Sequence, residues 1–149
     1  MPDRCLEDFE VGAVFEHWPG RTISEADNTW FTLLTMNQHP VHFDAEFAAG
    51  TEFGKMLVNS CLTLSMVTGM SVADVSRGAI ANLGWEKVRL PAPVFVGDTL
   101  RARSEVLAVR ESSSRPNQGI VTVRTTGTKQ TGDVVIEFER SMLIPRRAA

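Results

Sequence analysis

The residues of this chain best suited to chemistry lie in one polar stretch, residues 36–44, which reads MNQHPVHFD. An imidazole titrates near neutral pH, so the side chain of His42 can accept and donate protons under physiological conditions. Pro40 fixes its own φ angle and disfavours helical geometry at His39, which predicts a rigid turn leading into His42. His42 is therefore a candidate for moving a proton or polarising a carbonyl group. A turn whose polar residues only satisfy backbone groups is the alternative.

Helical segments flank this turn. Ser24 can cap a first helix, with Asp27 in the capping-box position, and four apolar residues at helical spacing extend the pattern through Thr35: Ala26, Trp30, Leu33 and Leu34. Residues 44–49 predict one short helical turn. Asn59 can cap a longer helix that runs to about Val72, and Gly69 weakens this helix near its end.

The longer helix lies in an uncharged run, residues 56–73, that must be distinguished from a membrane-spanning segment. The run is barely long enough to span a bilayer. It also contains seven small or polar residues, namely Asn59, Ser60, Thr63, Ser65, Thr68, Gly69 and Ser71. This composition predicts a helix in the middle of a globular protein and no contact with a membrane.

The pattern changes to strands after residue 78. Strand-like runs cover residues 78–90, 99–110, 120–129 and 134–139, separated by Pro-rich, Gly-Asp or polar segments. Gly84, inside the first run, suggests a bulge or the close approach of another group. The last three strands predict an antiparallel meander.

These elements predict one α+β domain over residues 1–149, a usual length for a single domain. A helix that is apolar on most sides must be covered on several of them. A strongly curved antiparallel sheet wrapped around a long central helix does this, and this arrangement is the hot-dog fold.

The composition limits the function classes. Hydrophobic residues make up 43% and charged residues 22%, and the net charge of −3 gives no basic surface for nucleic acid. Cys5 and Cys61 lack the spacing of metal ligands or of a disulfide framework, and Cys61 lies in an apolar run and is expected to be buried. The N-terminus is charged within its first four residues and no apolar run follows, so we expect no signal peptide and a cytoplasmic protein.

The order and spacing of several segments resemble the MaoC-like hydratases, the (R)-specific enoyl-CoA hydratase group of the hot-dog superfamily. The likeness covers nearly the whole chain, through residues 8–12, 21–24, 37–42, 44–48, 62–65 and 90–100. Residues 75–85 and 142–147 are similar to one branch, the mesaconyl-CoA and itaconyl-CoA hydratases, which act on branched five-carbon dicarboxylyl thioesters.

The resemblance implies a catalytic pair at Asn37 and His42. The family has an Asp, four intervening residues and then a His, so His42 takes the His position while Asn37 stands in place of the Asp. An amide can hold a water molecule by donating and accepting, but it cannot act as a base at neutral pH. His42 is the expected base and proton carrier, and Asn37 is expected to position water. Capping of the first helix is the alternative role of Asn37.

The resemblance also implies a thioester site at the start of the long helix. Ser60 matches the position whose backbone N–H faces the thioester oxygen, and Asn59 stands where the family usually has His. Thr68 matches a hydroxyl that belongs to the site in some members, and Gly84 is a further candidate for contact with substrate. The alternatives are a plain first-turn serine at Ser60 and, at Thr68, a core hydroxyl bonded to its own helix.

The implied activity is that of an acyl-CoA hydratase/dehydratase, which adds water across a 2-enoyl-CoA double bond or removes water to form it. A short branched or dicarboxylyl acyl group is the expected substrate. Two alternatives remain: a non-catalytic acyl-CoA-binding hot-dog subunit, because Asn37 replaces the Asp, and a hot-dog thioesterase. A thioesterase would require a carboxylate on or near the central helix, and residues 59–73 contain none.

No metal or separate cofactor is expected, since coenzyme A is part of the substrate. Its phosphates would be met by basic side chains, for which Lys87, Arg89 and Arg115 are candidates. A homodimer or higher homo-oligomer is expected, because a single hot-dog domain leaves sheet edges unpaired.

Overall fold

A computed structural model of the chain describes residues 3–148. Met1, Pro2 and Ala149 lie outside the described residues. Met1 and Pro2 belong to the N-terminal segment for which we expect no signal peptide.

Residues 3–148 form three α-helices and five β-strands. The helices are α1 (Glu25–Leu34), α2 (Ala45–Ala49) and α3 (Ser60–Ser71), and the strands are β1 (Val14–Thr22), β2 (Ala81–Arg89), β3 (Thr99–Glu111), β4 (Gln118–Thr128) and β5 (Val134–Pro145). Short 3₁₀ turns lie at Leu6–Asp8 and Pro40–His42, and a π-helical turn, Val72–Ser76, continues α3. The predicted limits of α3 are confirmed, since Asn59 is its N-cap and Val72 its C-cap.

The five strands form one antiparallel sheet in the order β1-β3-β4-β5-β2. The predicted meander is confirmed as β3-β4-β5, and the predicted strand after residue 78 is β2, at one edge. The pairing of β2 with β5 shifts register between Asn82 and Gly84, which confirms the predicted bulge. Strand β1, at the other edge, was not predicted from the sequence pattern.

Helix α3 packs one side against this sheet. Its side chains Leu62, Thr63, Val67 and Ser71 are buried. At Gly127 of β4, a Cβ would lie 2.7 Å from side-chain atoms of both Val67 and Ile136, so only glycine lets the helix approach this closely. The opposite side of α3 is exposed, and the expectation that Cys61 is buried is wrong: it lies on that exposed side, in the first turn.

Helix α1 begins as predicted, but the side that carries its regularly spaced apolar residues is exposed rather than buried. The Ser24 hydroxyl accepts from the Asp27 N–H, and the Asp27 carboxylate accepts from the Ser24 N–H, which is the predicted capping box. The apolar side chains at helical spacing are exposed, with Trp30 at 77% and Leu34 at 81%. The side that faces inward instead carries polar residues whose hydrogen bonds reach neighbouring backbone.

A separate group of polar side chains is buried under the C-terminal end of α3. The His17 ring contacts the Asp74 carboxylate at 2.7 Å and the Ser104 hydroxyl at 2.7 Å, and Ser104 bonds Thr125 at 2.8 Å. Arg140 donates to the Ser71 hydroxyl, and burial lowers the pKa of Arg140 to about 10. The contact of His17 with Asp74 fastens the π-helical turn to β1, and a bond from Arg140 to the Ser76 hydroxyl fastens it to β5.

Within residues 3–148, no helix combines the length and apolar character needed to cross a membrane.

Candidate active site

The turn that carries His42 is built by its own residues. Pro40 occupies the first position of the 3₁₀ turn, where a missing N–H costs nothing. The Nδ1 atom of His39 accepts from the Val41 N–H at 3.2 Å and so caps the turn. Val41 is buried and anchors the turn, while His42 is half-buried at its end.

One hydrogen bond makes the two ring nitrogens of His42 unequal. Nδ1 lies 2.7 Å from the backbone oxygen of Leu57. A carbonyl oxygen only accepts, so Nδ1 must carry the hydrogen, and in the neutral ring the lone pair is on Nε2. Nε2 is therefore the atom that can take a proton from a bound molecule and return it.

The strand-like segment that holds this ring also leads into α3. The Leu57 N–H donates to the Val41 oxygen at 3.1 Å, and the Val58 N–H donates to the Val94 oxygen at 2.8 Å. Asn59 follows as the N-cap of α3, and its side-chain oxygen accepts from the Cys61 N–H at 2.9 Å. Residues 57–59, which lead directly into α3, are therefore hydrogen-bonded to the turn that carries His42.

The start of α3 offers a free donor. Among residues 3–148, nothing accepts a hydrogen bond from the Ser60 N–H. Unpaired N–H groups and the positive end of the helix dipole make such a terminus suitable for an oxygen that gains negative charge.

A mainly apolar cavity of about 210 Å³ lies at the start of α3. Ser60 lines it, together with Phe53, Leu57, Val58, Thr63 and Pro93. His42 is not itself a lining residue, but its ring is bonded to the backbone oxygen of Leu57, which is one. The arrangement combines a proton acceptor, an N–H donor and an apolar pocket, which suits the addition of water to an activated double bond.

None of the remaining predicted site residues lines this cavity. Asn37 ends the loop after α1, and its side-chain oxygen accepts from the His39 N–H at 3.0 Å, so the amide nitrogen faces no partner among the described residues. Asn59 is 3% exposed; its side-chain oxygen accepts from the Cys61 N–H and its amide nitrogen donates to the Thr32 hydroxyl. It is therefore placed to support the site rather than to touch a ligand.

Thr68 and Gly84 form a second group near the sheet edge. Thr68 is eight residues beyond Ser60, about 12 Å further along the helix axis. Its hydroxyl accepts from the indole N–H of Trp85 at 3.3 Å, so it is bonded to β2 rather than to its own helix. Gly84 lies in the bulge of the same strand. The structure thus groups His42, Asn59 and Ser60, and separates Thr68 and Gly84 from them.

The three basic candidates for coenzyme A are not at the cavity lining. Lys87 is paired with Glu139 at 3.0 Å, and Lys87 and Arg89 line a charged depression with Glu137 and Glu139. Arg115 contacts Gln118 in the loop after β3.

A different pair of lysines lies beside the cavity and was missed. The ammonium group of Lys55 lies 4.4 Å from the centre of the Phe95 ring, which in turn contacts Phe53 of the cavity wall. Lys129 donates to the oxygen of Pro93, another wall residue, at 3.1 Å. The sequence signal for Lys55 was a lone cation two residues after Phe53, which is weak.

The sequence reading also missed the polar pair Asn28 and Thr32, both 0% exposed. Their spacing of four residues on one helix was the available signal. In residues 3–148, no three His, Cys, Asp or Glu side chains are grouped closely enough to hold a metal ion.

Comparison with known proteins identifies relatives along the whole chain. The family described as mesaconyl-CoA hydratase matches residues 2–149. A mesaconyl-CoA hydratase from Cereibacter sphaeroides is 34% identical over 97% of this chain and 42% of its own length. An (R)-specific enoyl-CoA hydratase from Rhodospirillum rubrum is 31% identical over 85% of this chain and 83% of its own length.

Solved structures also match the fold of this chain. A MaoC domain protein dehydratase from Chloroflexus aurantiacus J-10-fl superposes with a TM-score of 0.92 at 33% identity, covering 99% of this chain and 42% of that one. The chain thus spans about two fifths of the mesaconyl-CoA hydratase that it matches. The hot-dog prediction is confirmed, and the chain belongs to the mesaconyl-CoA hydratase family of MaoC-like hot-dog proteins.

Proposed function

We propose that the protein is an acyl-CoA hydratase/dehydratase that acts on a 2-enoyl thioester. The observation that carries this proposal is the hydrogen bond from His42 Nδ1 to the oxygen of Leu57, a residue that lines the same cavity as Ser60. This bond leaves Nε2 as the basic atom of the ring. Membership in the family and the two hydratase relatives support the same activity.

In the proposed reaction, water adds across the double bond. His42 Nε2 takes a proton from water as its oxygen bonds to Cβ, and the electron pair of the double bond moves toward the thioester oxygen. The Ser60 N–H holds that oxygen while it is negatively charged, and removing such a donor typically raises a barrier by about 3–4 kcal/mol. His42 then delivers a proton to Cα, which restores the thioester. Asn37 holds the attacking water through its free amide nitrogen.

We propose a short branched or dicarboxylyl acyl group as the preferred substrate. The cavity of about 210 Å³ suits a small acyl group. The Cereibacter sphaeroides relative is a mesaconyl-CoA hydratase, which supports a dicarboxylyl thioester. A substrate carboxylate beside Asn37 would also help to order the attacking water.

Coenzyme A is proposed to leave the cavity past Phe53 and Phe95. Lys55 is exposed and stacked over Phe95, and the Asp98 carboxylate is near enough for the charge of Lys55 to help lower its pKa. As an exposed cation, Lys55 can also bind a phosphate. Coenzyme A would be part of the substrate, and no separate cofactor enters the proposed chemistry.

We further propose that the chain works in the cytoplasm as a homodimer or larger homo-oligomer formed through β2. This strand is unpaired on its outer side and carries the exposed apolar side chains Leu83, Trp85 and Val88. An open edge with exposed apolar residues is a natural site for pairing with a second copy.

A panel of purified-protein assays tests the activity. We expect hydration of mesaconyl-CoA and crotonyl-CoA, slower hydration of octenoyl-CoA, and no release of free coenzyme A thiol. Thiol release without hydration would indicate a thioesterase. Binding of acyl-CoA without any turnover would favour the non-catalytic subunit, for which the substitution of Asn37 for Asp is the specific support. Faster turnover of octenoyl-CoA than of mesaconyl-CoA would contradict the proposed acyl group.

A further inference from the structure

The side chain of Asn28 lies at a junction of three chain segments. It is on the inner side of α1, fully buried, between the His42 turn and the start of α3. Its amide nitrogen donates to the His42 oxygen at 2.8 Å and to the Leu57 oxygen at 3.0 Å. Its amide oxygen accepts from the Asn59 N–H at 2.9 Å. All three partners are backbone groups.

Only a side-chain amide in this orientation fits these partners. The site presents two acceptors and one donor, and an asparagine offers two N–H groups and one oxygen. An aspartate would turn a carboxylate oxygen toward two carbonyls. An apolar residue of similar size would leave the His42 oxygen and the Asn59 N–H without this partner, and the Leu57 oxygen with the His42 ring alone.

The three backbone groups belong to the parts of the proposed catalytic machinery. The Leu57 oxygen is shared, since it accepts both from Asn28 and from His42 Nδ1. The position of this oxygen decides which ring nitrogen of His42 carries the hydrogen. The third partner, Asn59, is the N-cap that immediately precedes the Ser60 N–H.

We propose that Asn28 is a positioning residue that fixes the tautomer of His42 and the place of its ring relative to the Ser60 N–H. The inference rests on the proposed hydratase function, because that function gives Nε2 and the N–H their roles. Asn28 touches neither the substrate nor the reacting atoms. It acts on both catalytic groups at once through the backbone that carries them.

The most direct test compares wild type with Asn28→Asp by long-range ¹H–¹⁵N correlation of the histidine rings. The chain has three histidines, so single substitutions assign the His42 signals. We expect neutral His42 to be almost wholly the Nδ1–H form in wild type and a mixture of tautomers in Asn28→Asp. We also expect kcat for crotonyl-CoA hydration to fall at least ~10-fold with a smaller change in KM, since misplacement of about 1 Å can cost 100-fold.

Thr125→Val is the matched control. Thr125 is also fully buried and loses one hydroxyl hydrogen bond, to Ser104, away from the described cavity. We expect it to lower the melting temperature while leaving the His42 tautomer and kcat unchanged. An unchanged His42 tautomer in folded Asn28→Asp would overturn the inference, and so would an equal tautomer change in Thr125→Val.

A wild-type measurement covers the case in which Asn28→Asp does not fold. The Asn28 side chain is 0% exposed and its amide nitrogen donates to two backbone carbonyls, so both amide protons should exchange slowly with solvent, and rapid exchange of either overturns the inference. The tautomer measurement does not depend on turnover. A wild type that hydrates no enoyl-CoA therefore contradicts the proposed function, whereas an unperturbed His42 ring in Asn28→Asp contradicts the role of Asn28.

Discussion

At the scale of the residue, the candidate site depends on which groups are already occupied. His42 Nδ1 and the side-chain oxygens of Asn59 and Asn37 are all hydrogen-bonded within the chain. What remains for a ligand is His42 Nε2, the amide nitrogen of Asn37 and the Ser60 N–H. These are one base and two donors, as the addition of water to an enoyl thioester requires.

Asn37→Asp tests the role of the amide. The change keeps an oxygen that can accept from the His39 N–H, so the loop should be retained. It places a negative charge beside the proposed position of a substrate carboxylate, so we expect weaker binding of mesaconyl-CoA, measured as a higher KM. Hydration of crotonyl-CoA should be unchanged or faster, because a base is added near the water. The control is Asn117→Asp, which adds the same charge in the exposed loop before β4. Tighter binding of mesaconyl-CoA by Asn37→Asp would count against a carboxylate at this position.

Lys55→Gln tests the proposed path of coenzyme A. We expect KM for an enoyl-CoA to rise about 3–10-fold, the size expected for one exposed ionic contact of about 1 kcal/mol. KM for the corresponding N-acetylcysteamine thioester should not change, because that substrate has no phosphates. Lys87→Gln is the control, since Lys87 is equally cationic but paired with Glu139. Equal effects on both thioesters would place the phosphates elsewhere.

Sequence reasoning found some of these residues and missed others for physical reasons. His42 was identifiable because Pro40 and the family spacing mark its turn. The oxygen of Leu57 that holds His42 is a backbone atom, so the identity of the leucine side chain gives no sign of this role. Asn28 reads in sequence as an ordinary polar helix residue, since only the packing of α1 reveals that it is buried.

At the scale of the element, α3 depends on a close approach to β4. We expect Gly127→Ala to lower the free energy of unfolding by about 1–3 kcal/mol, because the new methyl group would overlap Val67 and Ile136. Gly69→Ala is the matched change, since a Cβ there meets nothing within 4 Å and the residue is in a helix. We expect it to raise the free energy of unfolding by up to about 1 kcal/mol. Urea denaturation measures both, and a Gly127→Ala protein as stable as wild type would contradict the packing described.

The strands were easier to predict than the orientation of the helices. Strands β3, β4 and β5 carry clear alternation or β-branched runs, and the bounds predicted for β3 and β4 agree with the structure to within two residues. The start of β5 is also as predicted, but the strand continues six residues beyond the predicted run, to Pro145. The apolar spacing of α1 predicted the helix but not its burial, because its inner side satisfies backbone groups instead of filling a core. The π-helical turn Val72–Ser76 has no sequence signature, and it is held by buried contacts such as Asp74 with His17.

At the scale of the whole molecule, the open edge of β2 predicts self-association. We expect light scattering at micromolar concentration to give at least twice the 16.4 kDa of one chain. Leu83→Glu should shift the protein toward the monomer, because it places a charge among the exposed apolar residues of this edge. Val14→Glu, on the exposed opposite edge strand β1, should leave the assembly unchanged. A wild type that is only monomeric, or equal effects of the two substitutions, would argue against assembly through β2.

The central claim is that His42 carries the proton in an enoyl-CoA hydratase, and the turnover of His42→Ala tests it most directly. We expect kcat for hydration of crotonyl-CoA to fall at least ~100-fold, the lower end for loss of a general acid–base group. His39→Asn, in which an asparagine can still cap the same turn, should stay within a few-fold of wild type. A folded His42→Ala protein that retains the full kcat of wild type would contradict the account.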